Sequence, residues 1–310
     1  MDQPAQDSVD QLIGYVNEQI ELLALEDPDP SLLDRMIQSL SDPRKAARIS
    51  LIEALGQIGE PATPFVLQGL GQHPEPTVRR SCCNALAQMG DDTAVGALVK
   101  ALLYDSDISV KSAAAGALAK IGAPAFDALK GVLATEAAGE SSKGHAAWAI
   151  ASMSAEVSEQ LYRSVDDASA AVRTAVVGAI AQLAQQQMAQ QQMAQQQTVQ
   201  QHAQQSDPKC SIPALEPPPL ALLTQALSDR AADVRIEAAA HLARLNCQAA
   251  YAPLVTCLND ANWEVRKAAA LAIGKLGRAE GIDAIARLKT DPEPAVQRVA
   301  TLILEQLAAQ

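Results

Sequence analysis

The chain has 310 residues, of which 48% are apolar and only 3% aromatic, and it carries a net charge of −12. Its apolar content comes from Ala, Leu, Ile and Val, which suits thin layers of closely packed helices better than a compact α/β core. The acidity argues against a phosphate-neutralising nucleic-acid surface and against an anionic membrane surface. It leaves solubility, or a preference for partners with basic faces, as its meaning.

In chain order, residues 8–25 (SVDQLIGYVNEQIELLAL) read as an amphipathic helix that caps the exposed apolar end of a helical stack, or docks a partner. A phrase then recurs through the rest of the sequence: a small or β-branched residue, a basic residue, then alanines leading into A-L/I-x-x-I/L/M. Its copies run AARISLIEALGQIG, TVRRSCCNALAQMG, SVKSAAAGALAKIG, SSKGHAAWAIASMS, AVRTAVVGAIAQLA, DVRIEAAAHLARLN, EVRKAAALAIGKLG and AVQRVATLILEQL. The basic position falls at Arg48, Arg79, Lys111, Lys143, Arg173, Arg235 and Arg266, with Gln297 in the last copy, so successive spacings are 31, 32, 32, 30, 62, 31 and 31 residues. A period near 31 residues holds two short helices and two turns, and the doubled spacing spans a low-complexity segment.

Local signals fit that reading. Val78, Cys82, Ala85, Leu86 and Met89 make one apolar face of a second helix. Asp42, Asp105, Asp107, Asp229, Asp260 and Asp291 stand in turns before second helices, where a carboxylate caps the positive end. Gly59, Gly90, Gly122 and Gly277 close second helices, and first helices come next, as at 93–103 and 251–258. Neither helix buries its apolar face alone, so stacking must make the core. The expected fold is all-α: a right-handed α-solenoid of about eight repeats.

Residues 185–205 carry a five-residue MAQQQ period of good helix formers, and the prolines from Pro208 to Pro219 end any helix there. This stretch reads as a tolerated surface insertion or as a binding segment. The chain thus divides into an N-terminal capping helix (1–30), repeats 1–5 (31–184), a Gln/Pro-rich insertion (185–218) and repeats 6–8 (219–310).

Five cysteines without a C-x-x-C pair exclude a disulfide framework and a zinc site, and fit a reducing compartment. The polar N-terminus has no signal-peptide pattern and no apolar run is long enough to span a bilayer, so a cytoplasmic protein without membrane insertion is expected. No nucleophile elbow, phosphate loop, dinucleotide fingerprint or metal spacing occurs, and the catalytic residues are unknown.

Candidate binding residues lie on the second helices, on the side opposite the apolar set. In the second copy that side carries Arg80, Cys83, Asn84 and Gln88. The register of Asn84 holds Gly116, Trp148 and Gly178 in the next three copies, and an indole among glycines offers a flat surface to a ring or a partner side chain, or else packs on the next repeat. His145 lies one turn before Trp148 and shares the candidate face. The basic residues, Lys143 among them, pair with acidic turns of neighbouring repeats or, if exposed, with acidic groups of a ligand. Cys83 is expected to be more exposed than Cys82, as a space-filler or as a thiol activated by Arg79 and Arg80.

The motif D-x-x-W-E-V-R-K-A-A-A-x-A-I-G-K-L-G at 260–277, with K-G-H-A-A-W-A-I at 143–150, resembles HEAT repeats, and more narrowly the HEAT-like repeats of the cyanobacterial phycobilisome lyase family. The resemblance covers roughly Ser31 to Leu307. It implies a concave face that holds a protein partner, a phycobiliprotein subunit, and a bilin as bound substrate rather than a required cofactor. It also implies action as a heterodimer with another HEAT-like chain. A scaffold, chaperone or regulatory adaptor without bilin chemistry uses the same face. The helical-repeat deoxyhypusine hydroxylases bind iron through adjacent His-Glu pairs; here His145 precedes Ala146 and His241 precedes Leu242, so no metal is expected.

Overall fold

A computed structural model describes residues 3–22, 28–201, 217–278 and 280–308, and is helical throughout these residues apart from turns. The chain forms two compact units, Met1–Val157 and Ser158–Gln310.

In the first unit, α1 (Gln3–Glu21) precedes four helical hairpins: α2 (Pro30–Ser39) with α3 (Lys45–Ile58), α4 (Thr63–Gln72) with α5 (Pro76–Met89), α6 (Val95–Tyr104) with α7 (Ile108–Ile121), and α8 (Phe126–Ala134) with α9 (Glu140–Ser152). First helices stack on first helices and second on second, α3–α5–α7–α9 forming one continuous layer. The helix expected over 8–25 forms as α1, with Val9, Leu12 and Val16 buried, and packs on α3; residues 23–27 lie outside the described residues.

The second unit repeats the scheme with α10 (Ser158–Arg163) and α11 (Ala170–Gln201), α12 (Pro219–Ala226) and α13 (Ala232–Arg244), α14 (Tyr251–Cys257) and α15 (Trp263–Leu276), and α16 (Gly281–Ala286) and α17 (Pro294–Ala308). Among the described residues, eight hairpins therefore match the eight copies of the sequence phrase, and the fold is an all-α solenoid. The glutamine tract extends α11 to Gln201; residues 202–216 lie outside the described residues, and α12 opens on Pro219, where a missing N–H costs nothing.

Leucine, isoleucine, valine and alanine from facing layers make the core. Leu51, Leu55, Leu86, Leu98, Leu118 and Ile150 are fully buried, each worth about 1.5–3 kcal/mol of transfer free energy. Helices approach closely because small residues sit at the contacts: a Cβ added at Gly69 would lie 2.9 Å from both Cys82 Sγ and Ile37 Cγ2. Four second helices end in a glycine of positive φ, Gly59, Gly90, Gly122 and Gly277, as expected, and Asn246 takes that place after α13, whereas α9 closes at Met153 with φ −95°.

Candidate functional site

The basic residue that marks each copy is an interior tie. Arg79 donates from Nε and Nη2 to Asp105 of the next turn at 2.8 and 2.9 Å, and from Nη1 to the carbonyls of His73 and Pro74 in its own turn. Arg173 bonds Asp229, Arg235 bonds Asp260 and Arg266 bonds Asp291 in the same bidentate way, at 2.7–2.8 Å. Each of these aspartates also accepts from the backbone N–H two residues on: Asp107, Ala231, Asn262 and Glu293. Every rung thus fixes its own turn and links it to the next. The guanidinium of Arg79 holds Asp105, and that of Arg266 holds Asp291, below the usual carboxylate range. Of the two roles open to the basic residues, these four take the interior one.

Three other copies keep the backbone half of the tie. Arg48 donates to the carbonyl of Asp42, and Gln297 to that of Asp291. Lys111 donates to the carbonyl of Leu103, eight residues back, and reaches Ser142 Oγ in the first turn of α9 at 3.4 Å.

With the ladder used inside the stack, the exposed side of the second helices is left to three registers. Counted from the basic residue, the first register holds Ile49, Arg80, Ser112 and Gly144 in the first unit, the fifth holds Glu53, Asn84, Gly116 and Trp148, and the ninth holds Gln57, Gln88, Lys120 and Ser152; none of these is buried. The structure thus brings Arg80, Asn84 and Trp148 onto one layer face, with Trp148 55% exposed. Neither Gly116 nor Gly144 would find a neighbour within 4 Å of an added Cβ, so the surface beside the indole is open. His145 and Lys143 are half-buried on α9, and His145 Nδ1 is shut off from solvent without a hydrogen-bond partner among the described residues.

Cys83 does not share that face. It is fully buried, as Cys82 is, and burial together with the carboxylate of Asp105 pushes its thiol up to about 12. The expectation that Cys83 is more exposed than Cys82 is corrected, and of its two readings the space-filler stands and the activated thiol falls: Cys83 sits in the fourth register, between neighbouring second helices. Ile52, Ala115, Val177, Ala239 and Ala270 hold that register buried in five other copies, with half-buried Ala147 and exposed Thr301 in the remaining two, and this mostly apolar column was the signal in the sequence. Opposing an apolar set on a helical wheel locates an exposed face only when a helix has one buried side. A helix inside a layer has three.

Two shallow grooves lie along these faces. One, of about 420 Å³, is lined by Ile49, Glu53, Asn84, Gln88, Gly116 and Lys120, with Lys120 Nζ donating to Gln88 Oε1 at 3.0 Å. The other, of about 430 Å³, runs in the second unit between Gln182, Gln185, Met188 and Gln192 of α11 and the side chains of His241 and Arg244. Here His241 Nε2 lies 2.7 Å from Glu237 Oε1, and Arg244 contacts the same ring. The hydrogen bond from His241 holds the Glu237 carboxyl below its ordinary value. The sequence hinted at this group, since His241 stands where six other copies carry Ala54, Ala85, Ala117, Ala149, Ala179 and Ala272 and the last carries Ile303. Among the described residues no group of three or more His, Cys, Asp or Glu side chains is placed to hold a metal ion, and no helix is long and apolar enough to cross a membrane.

Comparison with known proteins agrees on the architecture. The family model described as HEAT repeats matches residues 63–151 and 220–305, together more than half of the chain. No curated protein matches. Solved structures of similar fold include human deoxyhypusine hydroxylase in complex with glycerol, at 19% identity over 94% of this chain and 99% of that one, TM-score 0.36. Yeast importin-β is 15% identical over 95% of this chain and 42% of its own, TM-score 0.44. A designed armadillo repeat protein in complex with the peptide (KR)4 is 23% identical over 89% and 99%, TM-score 0.34. At these identities the likeness is one of fold.

Proposed function

This chain belongs to the HEAT-repeat family, and from that premise we propose that it is a scaffold that binds a protein partner along the exposed face of its second helices. One observation carries the reading. The ladder residues recur from copy to copy and are used inside the stack, whereas the open registers change from Glu53 to Asn84, Gly116 and Trp148. A constant interior with a variable exposed face suits recognition, because each repeat adds one set of contacts to an extended surface. Site-specific photo-cross-linking tests it. A cross-linker at position 84 is expected to trap a discrete protein in cells, and one at exposed Asp127 on α8 is expected to trap none. Equal trapping from both, or none from position 84, would sink the proposal.

A finer proposal rests on the resemblance to phycobilisome lyases. Exposed Trp148 beside the open surface at Gly116 and Gly144 suits a flat conjugated ring, and Lys143, without an ion-pair partner among the described residues, suits a propionate. In that role the chain, alone or paired with another HEAT-like chain in the cytoplasm, would hold a phycobiliprotein subunit and its bilin, contributing position rather than acid–base chemistry. Co-expression with phycobiliprotein subunits and a bilin source is then expected to yield fluorescence that survives denaturation. The absorbance of free bilin is expected to change with the wild-type chain and not with Trp148→Ala. Without the covalent adduct the lyase role is lost, while cross-links from position 84 would keep the scaffold.

A further inference from the structure

The two units differ in what their second-helix faces display. In the second unit the fifth register runs Gly178, Ala240, Leu271, Leu302, and the two leucines are 47% and 53% exposed. Large aliphatic side chains exposed in one register of adjacent helices mark a contact surface more often than chance scatter does. The flanking registers are cationic. On one side stand Lys267 and Arg298 in the first register, and on the other Arg244 and Lys275 in the ninth. Lys267 is held in place, its ammonium 4.8 Å above the centre of the Trp263 ring. The acids near this strip, Asp233 and Glu264 in the first turns of α13 and α15 and Glu305 in the last turns of α17, stand outside these registers, and Glu237 is engaged by His241. In the first unit the exposed large apolar side chains of these registers, Ile49 and Trp148, stand in different registers of the non-adjacent helices α3 and α9, and the cations are two, Arg80 and Lys120.

We infer that the α13–α15–α17 face is a docking site for an acidic amphipathic α-helix of a partner protein, one with a single apolar stripe between two rows of carboxylates. The charge pattern fixes the partner's chemistry: a leucine strip rimmed by Lys and Arg on both sides rejects a basic helix and favours one rimmed by Glu and Asp. Geometry favours a helix over an extended segment. Packed helices lie about 8–10 Å apart, and two heptad-spaced residues of a crossing helix are about 10.5 Å apart, so an apolar residue every seventh position meets Ala240, Leu271 and Leu302 in turn. The tight seating of α15 on α17 supports that spacing, since a Cβ added at Gly274 would lie 2.6 Å from Ile303 Cγ2. An apolar strip with a charged rim on each side is narrow, and a helix laid across it buries the leucines while leaving its own carboxylates at the rim. This inference deepens the proposed protein-binding role and rests on it.

The probe is a fluorescein-labelled synthetic helix of about 18 residues, with leucines in one heptad stripe and glutamates beside them, titrated with the full chain and followed by anisotropy. Saturable binding is expected, weakened about tenfold or more by Leu271→Ser with Leu302→Ser, and about tenfold by Lys275→Glu with Arg298→Glu. High salt is expected to weaken the wild type more than the charge-reversed chain. All four side chains are exposed or on the rim, and unchanged circular dichroism melts verify that the variants are folded. A scrambled peptide and a lysine-for-glutamate peptide are expected not to bind. The inference is overturned if the scrambled peptide binds as well, if neither double variant weakens binding, or if nothing saturates. Light scattering that finds a dimer dispersed by the leucine substitutions would put a second copy of this chain on the face instead, and also overturns it. Cross-links from position 84 in the absence of peptide binding leave the scaffold standing and remove only this site.

Discussion

The two units are built on one ladder and use it differently. In Ser158–Gln310 three rungs succeed one another without a break, Arg173–Asp229, Arg235–Asp260 and Arg266–Asp291. In Met1–Val157 the Arg79–Asp105 rung is succeeded by Lys111, whose reach ends on a carbonyl and a serine hydroxyl. Net charge divides just as unevenly: the first unit has 21 acidic against 11 basic side chains and the second 15 against 13. The overall acidity therefore describes the first unit and hides a second whose exposed second-helix face is rimmed with cations. Charge averaged over a whole repeat protein is a poor guide to its faces.

The largest expected effects come from breaking a rung in the unbroken series. Asp291 and Arg266 are 4% and 12% exposed, so Asp291→Ala leaves a guanidinium shut in without its partner. A loss of about 3 kcal/mol is expected, read as lost hydrogen-exchange protection in α15 and α17. Lys111→Met, which removes the weaker tie of the first unit, is expected to cost less than about 1 kcal/mol in α7 and α9. Equal losses at the two sites would mean that the ladder is not what separates the units.

Acid tests the same rungs together. Asp105 and Asp291 are held below their ordinary value by Arg79 and Arg266; for Asp229 and Asp260 burial opposes the shift, and the arginines still bring them down. A carboxyl with a depressed folded value adds stability that is complete above the unfolded value of about 4 and disappears as pH falls through the folded one. Protection in α13–α17 is expected to decline below about pH 4, with a steeper slope in the wild-type chain than in an Asp291→Asn chain, which has one such acid fewer. Parallel decline in both would remove the ladder as the cause.

A local substitution probes the first unit at a different joint. Gly122 has φ +78°, and an added Cβ would collide with Glu156 Oε1, the carboxylate oxygen that accepts the N–H of Ala123. Gly122→Ala is expected to cost about 1–2 kcal/mol from backbone conformation and collision together. Adding Glu156→Ala should restore the part due to collision and leave the part due to φ. Full restoration would mean that the backbone carries no strain there.

Much of this architecture is legible in the sequence. A period near 31 residues, the basic position and the aspartate turns specify the hairpins and the pairing of rungs, because each signal repeats and errors in one copy are corrected by the others. The exposed face is only partly legible. Arg80, Asn84 and Trp148 lie on it, while Cys83 lies beneath, because a helix walled in on both flanks exposes a single narrow ridge. Each register compared down all eight copies separates the two cases: the fourth is apolar nearly throughout and the ninth polar throughout. Leu271 and Leu302 are obscure for the opposite reason. A leucine in an alanine-rich helix looks like core until its register is compared with Asn84 and Glu53.

The smallest effect concerns the turn that sets the units apart at their helix ends. Every positive-φ closure of the first unit is a glycine, whereas α13 of the second ends at Asn246 with φ 51°. Asparagine tolerates this conformation at some cost that glycine avoids, so Asn246→Gly should relieve strain in the folded state. Against that stand the added freedom of the unfolded chain and the loss of the 2.9 Å bond from Gln248 Nε2 to Asn246 Oδ1. That bond is exposed, which limits its worth to well under about 1 kcal/mol. The opposing contributions leave a net change within about 0.5 kcal/mol of zero, measured as the exchange protection of α13. Gly90→Ala, at the matching closure of α5 with φ 67°, has no such offset and is expected to cost about 1 kcal/mol. If the two substitutions moved their helices by the same amount and in the same direction, the Asn246–Gln248 bond would not be what makes asparagine acceptable at that turn.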